Sequence, residues 1–255
     1  MTISITGQRS ELGRLLSKQK TRGNVHFNLS GQQANTLLHD GHAWKDFAKT
    51  VRAGTRRALH AEASFLVHAS FAFVRVLPPK DPLRSLAEVI LECEQLVHAA
   101  PLPACVVRLG YLYGPQSSDL RAYRKAFRLG RPYWAGPRAA GQFHLHLDDA
   151  VSALLAAATP RNAGRTLYAT GGPPVPFMKF MDHFARRLDT RIPLHVPLIA
   201  APLMKLVVRK EHVQQTALAM PTHAPSPRVP GWKPAWPDPR EGLDQVIAAW
   251  GENAA

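Results

Sequence analysis

Two stretches of this chain hold residues whose types and spacing can do chemistry. In SITGQRSELGRLL (4–16) a strand-forming run ends at Thr6, Gly7 can turn the chain, and a helix opens near Ser10. A turn of that kind aims backbone N–H groups and the positive end of a helix at a phosphate. The plainer reading is a strand-to-helix turn that holds no ligand. In HLHLDD (144–149) His144 and His146 fall on one face of a strand. Two imidazoles and a carboxylate can hold a metal ion. His39 and His42 also lie close together, with only Asp40 beside them.

The elements that must position these residues alternate between short apolar runs and longer helical stretches, which predicts α/β architecture. Strands are expected at Thr2–Thr6, Asn24–Leu29, Ser64–Ser70, Ala104–Leu109 and Thr166–Ala169. Helices are expected at Glu11–Lys20, Trp44–Ala63, Pro82–Ala99 with Asp81 as its cap, Leu120–Leu129, Asp149–Ala158 and Pro176–Leu188. From Thr190 onward the chain is Pro-rich, with helices expected at Ala201–Arg209 and Arg240–Trp250. This pattern predicts a nucleotide-binding core over 1–172, with 116–142 contributing to a small C-terminal lobe over 173–255. No internal repeat or low-complexity tract interrupts it.

Composition narrows the possibilities. With 255 residues, 45% hydrophobic and 20% charged, the chain has an ordinary globular mix. Cys93 and Cys105 can form no disulfide framework and fit no zinc spacing, so reduced thiols and a cytoplasmic setting are expected. The N-terminal residues lack the basic start and apolar run of a signal peptide. The longest apolar stretch, Ile192–Val208, is broken by His195, Lys205 and prolines, so no transmembrane segment is expected. The net charge of +14 favours acidic partners such as nucleotides, nucleic acid or anionic lipid. No block of five or more basic residues is present, so a solvated basic surface is the competing reading.

Seven further segments carry a resemblance to a known family, and they do so in order. VHFNLSGQQA (25–34), KTVRAGTRRALHA (49–61), FLVHASFAFV (65–74), VVRLGYLYGP (106–115), FHLHLDDAVSALLAA (143–157), GRTLYATGG (164–172) and GWKPAWPDPREGLDQVIAAW (231–250) resemble successive motifs of the extended short-chain dehydrogenase/reductase group, the NAD-dependent epimerase/dehydratase type. The opening turn matches that group's TGxxGxxG pattern at Gly7 and Gly13, with Ser10 in place of the middle glycine. That serine can crowd a pyrophosphate or donate to it. The resemblance implies NAD or NADP as cofactor, with Gly7, Ser10, Glu11, Leu12, Gly13, Leu29 and Ser70 as the residual binding positions. It also accounts for His146, Asp148 and Asp149 without a metal, and no metal site is expected.

Measured against that family, the chain lacks two things. Gly13 and Gly54 are much closer together than the family pattern requires, which fits loss of the second and third strands with their helices. In a sheet of order 3-2-1-4-5-6 those strands are adjacent at one edge, so their loss leaves a reduced Rossmann-like parallel sheet, 1-4-5-6 plus later strands. The acidic residue that would hold the adenosine ribose disappears with them. No Asp or Glu lies between Glu11 and Asp40, where Lys18, Lys20 and Arg22 stand instead without an obvious platform. Dinucleotide binding is therefore expected to be weak or absent.

The second loss is the family's Tyr-x-x-x-Lys pair. A free phenol titrates near pH 10, too high for easy proton transfer, and the lysine corrects this. The first tyrosine here is Tyr111, beyond the helix that should carry the pair. Alignment on LECEQLV (91–97) puts Leu86 at the Tyr position and Ile90 at the Lys position. Ser70 falls one place before the usual catalytic serine, where Phe71 stands. Arg108, Tyr111 and Tyr113 fall where the family's strand meets nicotinamide and substrate. This leaves Tyr113 as a replacement acid/base or as a packing residue. The expected function is a non-catalytic binding or assembly protein, meeting a protein partner or a second copy through the first strand's edge. An active NAD(P)-dependent reductase, epimerase or dehydratase and a basic nucleic-acid-binding protein are the alternatives.

Overall fold

The computed structural model describes residues 3–21, 23–39, 44–75, 84–133, 141–196 and 225–251. Its strands are β1 (Ser4–Thr6), β2 (Val25–Asn28), β3 (Phe65–Phe71), β4 (Ala104–Leu109), β5 (Tyr111–Tyr113), β6 (Gly141–Gln142), β7 (His144–His146), β8 (Thr166–Ala169) and β9 (Val175–Pro176). Its helices are α1 (Glu11–Leu16), α2 (Ser30–His39), α3 (Trp44–Leu59), α4 (Arg84–Ala99), α5 (Ser118–Arg128), α6 (Leu147–Ala157), α7 (Phe177–Arg187) and α8 (Pro239–Ala249). Arg22, Asp40, His42, Asp81 and the expected helix at Ala201–Arg209 lie outside the described residues.

The chain divides into two compact units. The first comprises 1–110, 147–169 and 225–234 and contains a five-stranded parallel sheet of order β1-β2-β3-β4-β8. This is the expected order 1-4-5-6 followed by one later strand. The strands VHFN, FLVHASF and ACVVRL are buried almost throughout. That is the signature of parallel strands covered on both faces, where β-branched and aromatic side chains pack well. No described strand pairs with the outer side of β1. The segment 225–234 returns to this unit because Tyr168 N–H donates to Pro227 O (2.8 Å) and the Trp232 indole donates to Ser152 Oγ (2.9 Å).

The sheet contains a polar seam that follows from its register. Thr6 lies beside Asn28, and Asn28 beside His68. His26 bridges Thr6 Oγ1 (2.9 Å) and Ser4 Oγ (2.8 Å). Asn28 Nδ2 donates to Thr55 Oγ1 (3.2 Å) and His68 Nδ1 (2.8 Å). Buried polar groups are tolerated only when paired in this way. The two thiols are free and buried, and burial pushes Cys105 up to about 12, so it stays protonated at neutral pH.

Two local expectations change. Helix α1 stops at Leu16, where Ser17 caps it, so Lys18 and Lys20 are exposed beyond its C-terminal end, opposite the glycine turn. The segment after β2, for which no helix is expected from the sequence, is helix α2. It begins because Gln33 N–H donates to Leu29 O (3.0 Å) and because α3 packs along it.

The second unit takes 111–146, 170–224 and 235–255, so its share of the middle segment begins at Tyr111. Parallel β5–β7 and antiparallel β6–β9 pairs carry α5, α7 and α8 around a core that includes Tyr113, Phe127, Phe180, Phe184, Leu243 and Ile247. Gly242 lets α8 approach Tyr113: a Cβ there would lie 1.9 Å from its hydroxyl oxygen. Gly242→Ala is therefore expected to overpack this core and cost about 1–3 kcal/mol. Tyr113→Phe in the same chain should return part of the loss in urea denaturation, because it removes the nearest atom.

Candidate functional site

The glycine turn is built and closed by its own residues. Gly7 has φ +87°, and a Cβ on it would lie 2.5 Å from Leu29 O. A Cβ on Gly13 would lie 2.6 Å from Gly7 O. Both glycines are thus required by the turn's packing, whether or not a ligand is held. The Ser10 hydroxyl is engaged within the turn itself. The residue is 2% exposed, and its hydroxyl donates to Gly7 O (2.8 Å) while accepting from Gly13 N–H (3.0 Å), which caps α1. Glu11 and Leu12 form the first turn of α1, with Leu12 facing the core. Leu29 N–H donates to Thr6 O (2.7 Å), which joins the turn to β2.

Beside this turn lies a cleft of about 380 Å³, at the C-terminal ends of β1 and β2. Thr6, Gly7, Ser30 and Gln33 form one wall. One face of α3 forms the other, with Asp46, Lys49, Thr50, Ala53, Gly54 and Arg57 recurring at three- and four-residue spacing. Helix α3 approaches closely because a Cβ on Gly54 would lie 2.3 Å from Ser30 Cβ. Among the described residues neither Lys49 nor Arg57 has a hydrogen-bond or ion-pair partner, and with Asp46 as the one acid in the lining the cleft keeps a net positive charge. Sequence reasoning did not find these two cations. Their only local signal is shared helix periodicity, and nothing local says that this face lies against β1.

At the helix where the family pattern expects its catalytic pair, α4 has Leu86 at 6% and Ile90 at 2% exposure. Ser70 is buried and engaged by a neighbouring side chain. The register places it beside Arg108 and places Arg108 beside Tyr168. Glu94 completes the group: Ser70 Oγ donates to Glu94 Oε1 (2.5 Å), and Arg108 binds both Glu94 oxygens (Nε–Oε1 2.9 Å, Nη2–Oε2 2.5 Å). Arg108 Nη1 also donates to Tyr168 Oη (2.6 Å). Glu94 and Arg108 are 3% and 5% exposed, so this is a buried ion pair of the first unit. Phe71, in the place after Ser70, turns its ring toward Gly31, whose Cβ would lie 3.0 Å from it.

In the second unit Tyr113 is 1% exposed and its ring lies edge-on to Phe180 and His146. His144 stacks on Phe180 at 4.1 Å and donates from Nε2 to Val175 O (3.2 Å). Burial holds its pKa down to about 4, and the bond to Val175 offsets only part of that. His146 meets Gln245 Oε1 at 3.1 Å. The two imidazoles are therefore engaged separately. No group of three His, Cys, Asp or Glu side chains among the described residues is arranged to hold a metal, and no described helix is long and apolar enough to cross a membrane.

A strand, a glycine turn and a helix at the end of a five-stranded parallel sheet define a Rossmann-like α/β protein. No family model matches the chain. The 3-diazoavenalumate denitrifying reductase of a Streptomyces species is 32% identical over 222 residues, covering 77% of this chain and 72% of that protein. Human epimerase family protein SDR39U1, solved with NADPH, has the same fold with a TM-score of 0.72 and 15% identity, over 97% of this chain and 99% of that one. RMD from Pseudomonas aeruginosa, complexed with NADPH, matches with a TM-score of 0.67 and 16% identity, over 98% of each chain. The chain belongs to the NAD-dependent epimerase/dehydratase family of extended short-chain dehydrogenases/reductases.

Proposed function

We propose that this chain is a dinucleotide-binding member of its family that does not perform the family's proton transfer. The observation that carries this reading is the pair Leu86 and Ile90, two buried aliphatic side chains where the pattern calls for Tyr and Lys. Neither can move a proton. The nearby hydroxyl of Ser70 is committed to Glu94, and Tyr113 sits in an aromatic core, which favours packing over acid/base chemistry.

The glycine turn and its cleft suit the phosphate-bearing end of a dinucleotide. With the second strand gone, the acid that would follow the glycine turn to bind a ribose hydroxyl pair is missing, and in the cleft Lys49 and Arg57 outnumber Asp46 and can attract a 2′-phosphate. NADPH is therefore expected to bind at least tenfold more tightly than NADH in titration calorimetry, about 1.4 kcal/mol. Lys49→Ala and Arg57→Ala should each weaken NADPH several-fold and leave NADH unchanged. Low-micromolar NADH binding that ignores both substitutions would defeat this assignment. Cofactor turnover lost on Tyr113→Phe would defeat the non-catalytic reading.

One observation favours a second reading. The 32%-identical relative is, by its name, a reductase of a diazo compound. A nicotinamide supplies hydride when bound. Replacing a diazonium group by hydrogen forms a C–H bond from that hydride, breaks the C–N bond and releases dinitrogen, and the charges balance without a proton. Such a reaction has no need of the Tyr/Lys pair. NADPH oxidation by 4-carboxybenzenediazonium faster than the enzyme-free rate would select this reading. No acceleration would leave the binding protein.

A further inference from the structure

We infer that the second unit carries its own binding site for an organic carboxylate with an apolar body. The site is a cleft of about 880 Å³ between the start of α7 and the segment that leads into α8. Its walls include Pro173, Pro174, Pro176, Pro237 and Pro239. Proline has a fixed φ and almost no side-chain freedom to lose, so apolar walls made of it are already ordered before a ligand arrives.

The two wall segments are also tied together. Gly172 N–H donates to Pro237 O (2.8 Å), and a Cβ on Gly172 would lie 2.5 Å from the same oxygen. Glycine at this position lets the two backbones meet. The cleft is thus a formed feature of the unit, distant in sequence from the glycine turn and independent of any dinucleotide.

Its charges decide what it takes. Both lining acids are already engaged by protein groups. Asp182 Oδ1 accepts from Tyr133 Oη (3.0 Å) and meets His195 Nε2 (2.8 Å). Asp238 caps α8 and holds Arg240 through both oxygens. His183 is engaged by Asp244 (2.9 Å). Lys179 and Arg186 remain, on one face of α7, with no partner among the described residues. Pro176 stands at the N-cap of this 11-residue helix and supplies no side-chain cap, so the helix's positive end also opens onto the cleft. A neutral apolar molecule would leave these cations unanswered, and a bare inorganic anion would leave the proline walls unused.

The test uses the full chain, with 2-naphthoate as the anionic probe and 2-naphthamide as its uncharged counterpart, by calorimetry or ligand-observed NMR. Naphthoate should bind saturably at one site, at least tenfold more tightly than the amide and than inorganic phosphate. The double variant Lys179→Ala/Arg186→Ala, at two exposed positions, should lose tenfold or more for naphthoate and nothing for the amide. Saturating NADPH should leave naphthoate affinity unchanged. Equal binding of acid and amide, phosphate binding as tight as naphthoate, indifference to the double variant, or competition with NADPH would each overturn the site. A failure of NADPH to bind at all would overturn the dinucleotide reading and leave this site standing.

Discussion

Glu94→Ala and Arg108→Ala are each expected to destabilise the protein by about 3–5 kcal/mol, because either change leaves a buried charge without its partner. The pair is almost completely removed from water, and both Glu94 oxygens are bound by one guanidinium. Removing Glu94 strips Arg108 of its counter-charge and Ser70 of its acceptor. Removing Arg108 leaves a buried carboxylate with the Ser70 hydroxyl still donating to it. Replacing both together, as Glu94→Leu with Arg108→Met, should recover much of the loss, since an apolar pair of similar volume avoids the desolvation cost. Urea denaturation of the wild type, the two single variants and the double replacement closes the cycle. Single-variant losses under about 1 kcal/mol would show that the pair is not buried as described.

Acid should weaken both units, through a histidine in each. His68 in β3 and His144 in β7 are held down to about 4, in both cases chiefly by burial. For His68 the charge of Glu94 acts in the opposite direction and is outweighed. The sign follows from which state binds protons first. An unfolded histidine takes up a proton near pH 6.5, whereas the folded one resists until about pH 4. Stability is therefore full above about pH 6.5 and falls as the pH drops toward 4. Below that the loss levels off, at up to about 3 kcal/mol per histidine. His144→Phe keeps a ring to stack on Phe180 and cannot be protonated. Its stability measured at pH 7.5 and pH 4.5 should fall by visibly less than that of the wild type. An identical fall in both would exclude His144 as a source of the acid sensitivity.

Much of the first unit was legible because its determinants are local. Runs such as FLVHASF and ACVVRL announce buried parallel strands, and Gly7 before a helix start announces the turn. The shortened distance from Gly13 to Gly54 implied the reduced sheet order that is observed. Helix α2 was missed because its opening residues favour loops when considered alone. It is held by the Leu29 carbonyl and by α3, which local propensity does not report.

The sequence by itself settled that no tyrosine precedes Tyr111, so the family's proton-transfer pair cannot stand on α4 in any fold of this chain. It also settled that no acid lies between Glu11 and Asp40 to hold a ribose. The order of residues along the chain is invariant to folding, and both statements concern that order alone. Only the tertiary structure decided that Ser10 caps its own helix, that Ser70 serves a buried ion pair, and that Lys49 and Arg57 line a cleft beside β1. The proline walls of the second cleft come from segments far apart in the chain, joined through Gly172 and Pro237. A side chain's role depends on which distant segment packs against it, and that is set by the burial of the whole core rather than by its neighbours in sequence.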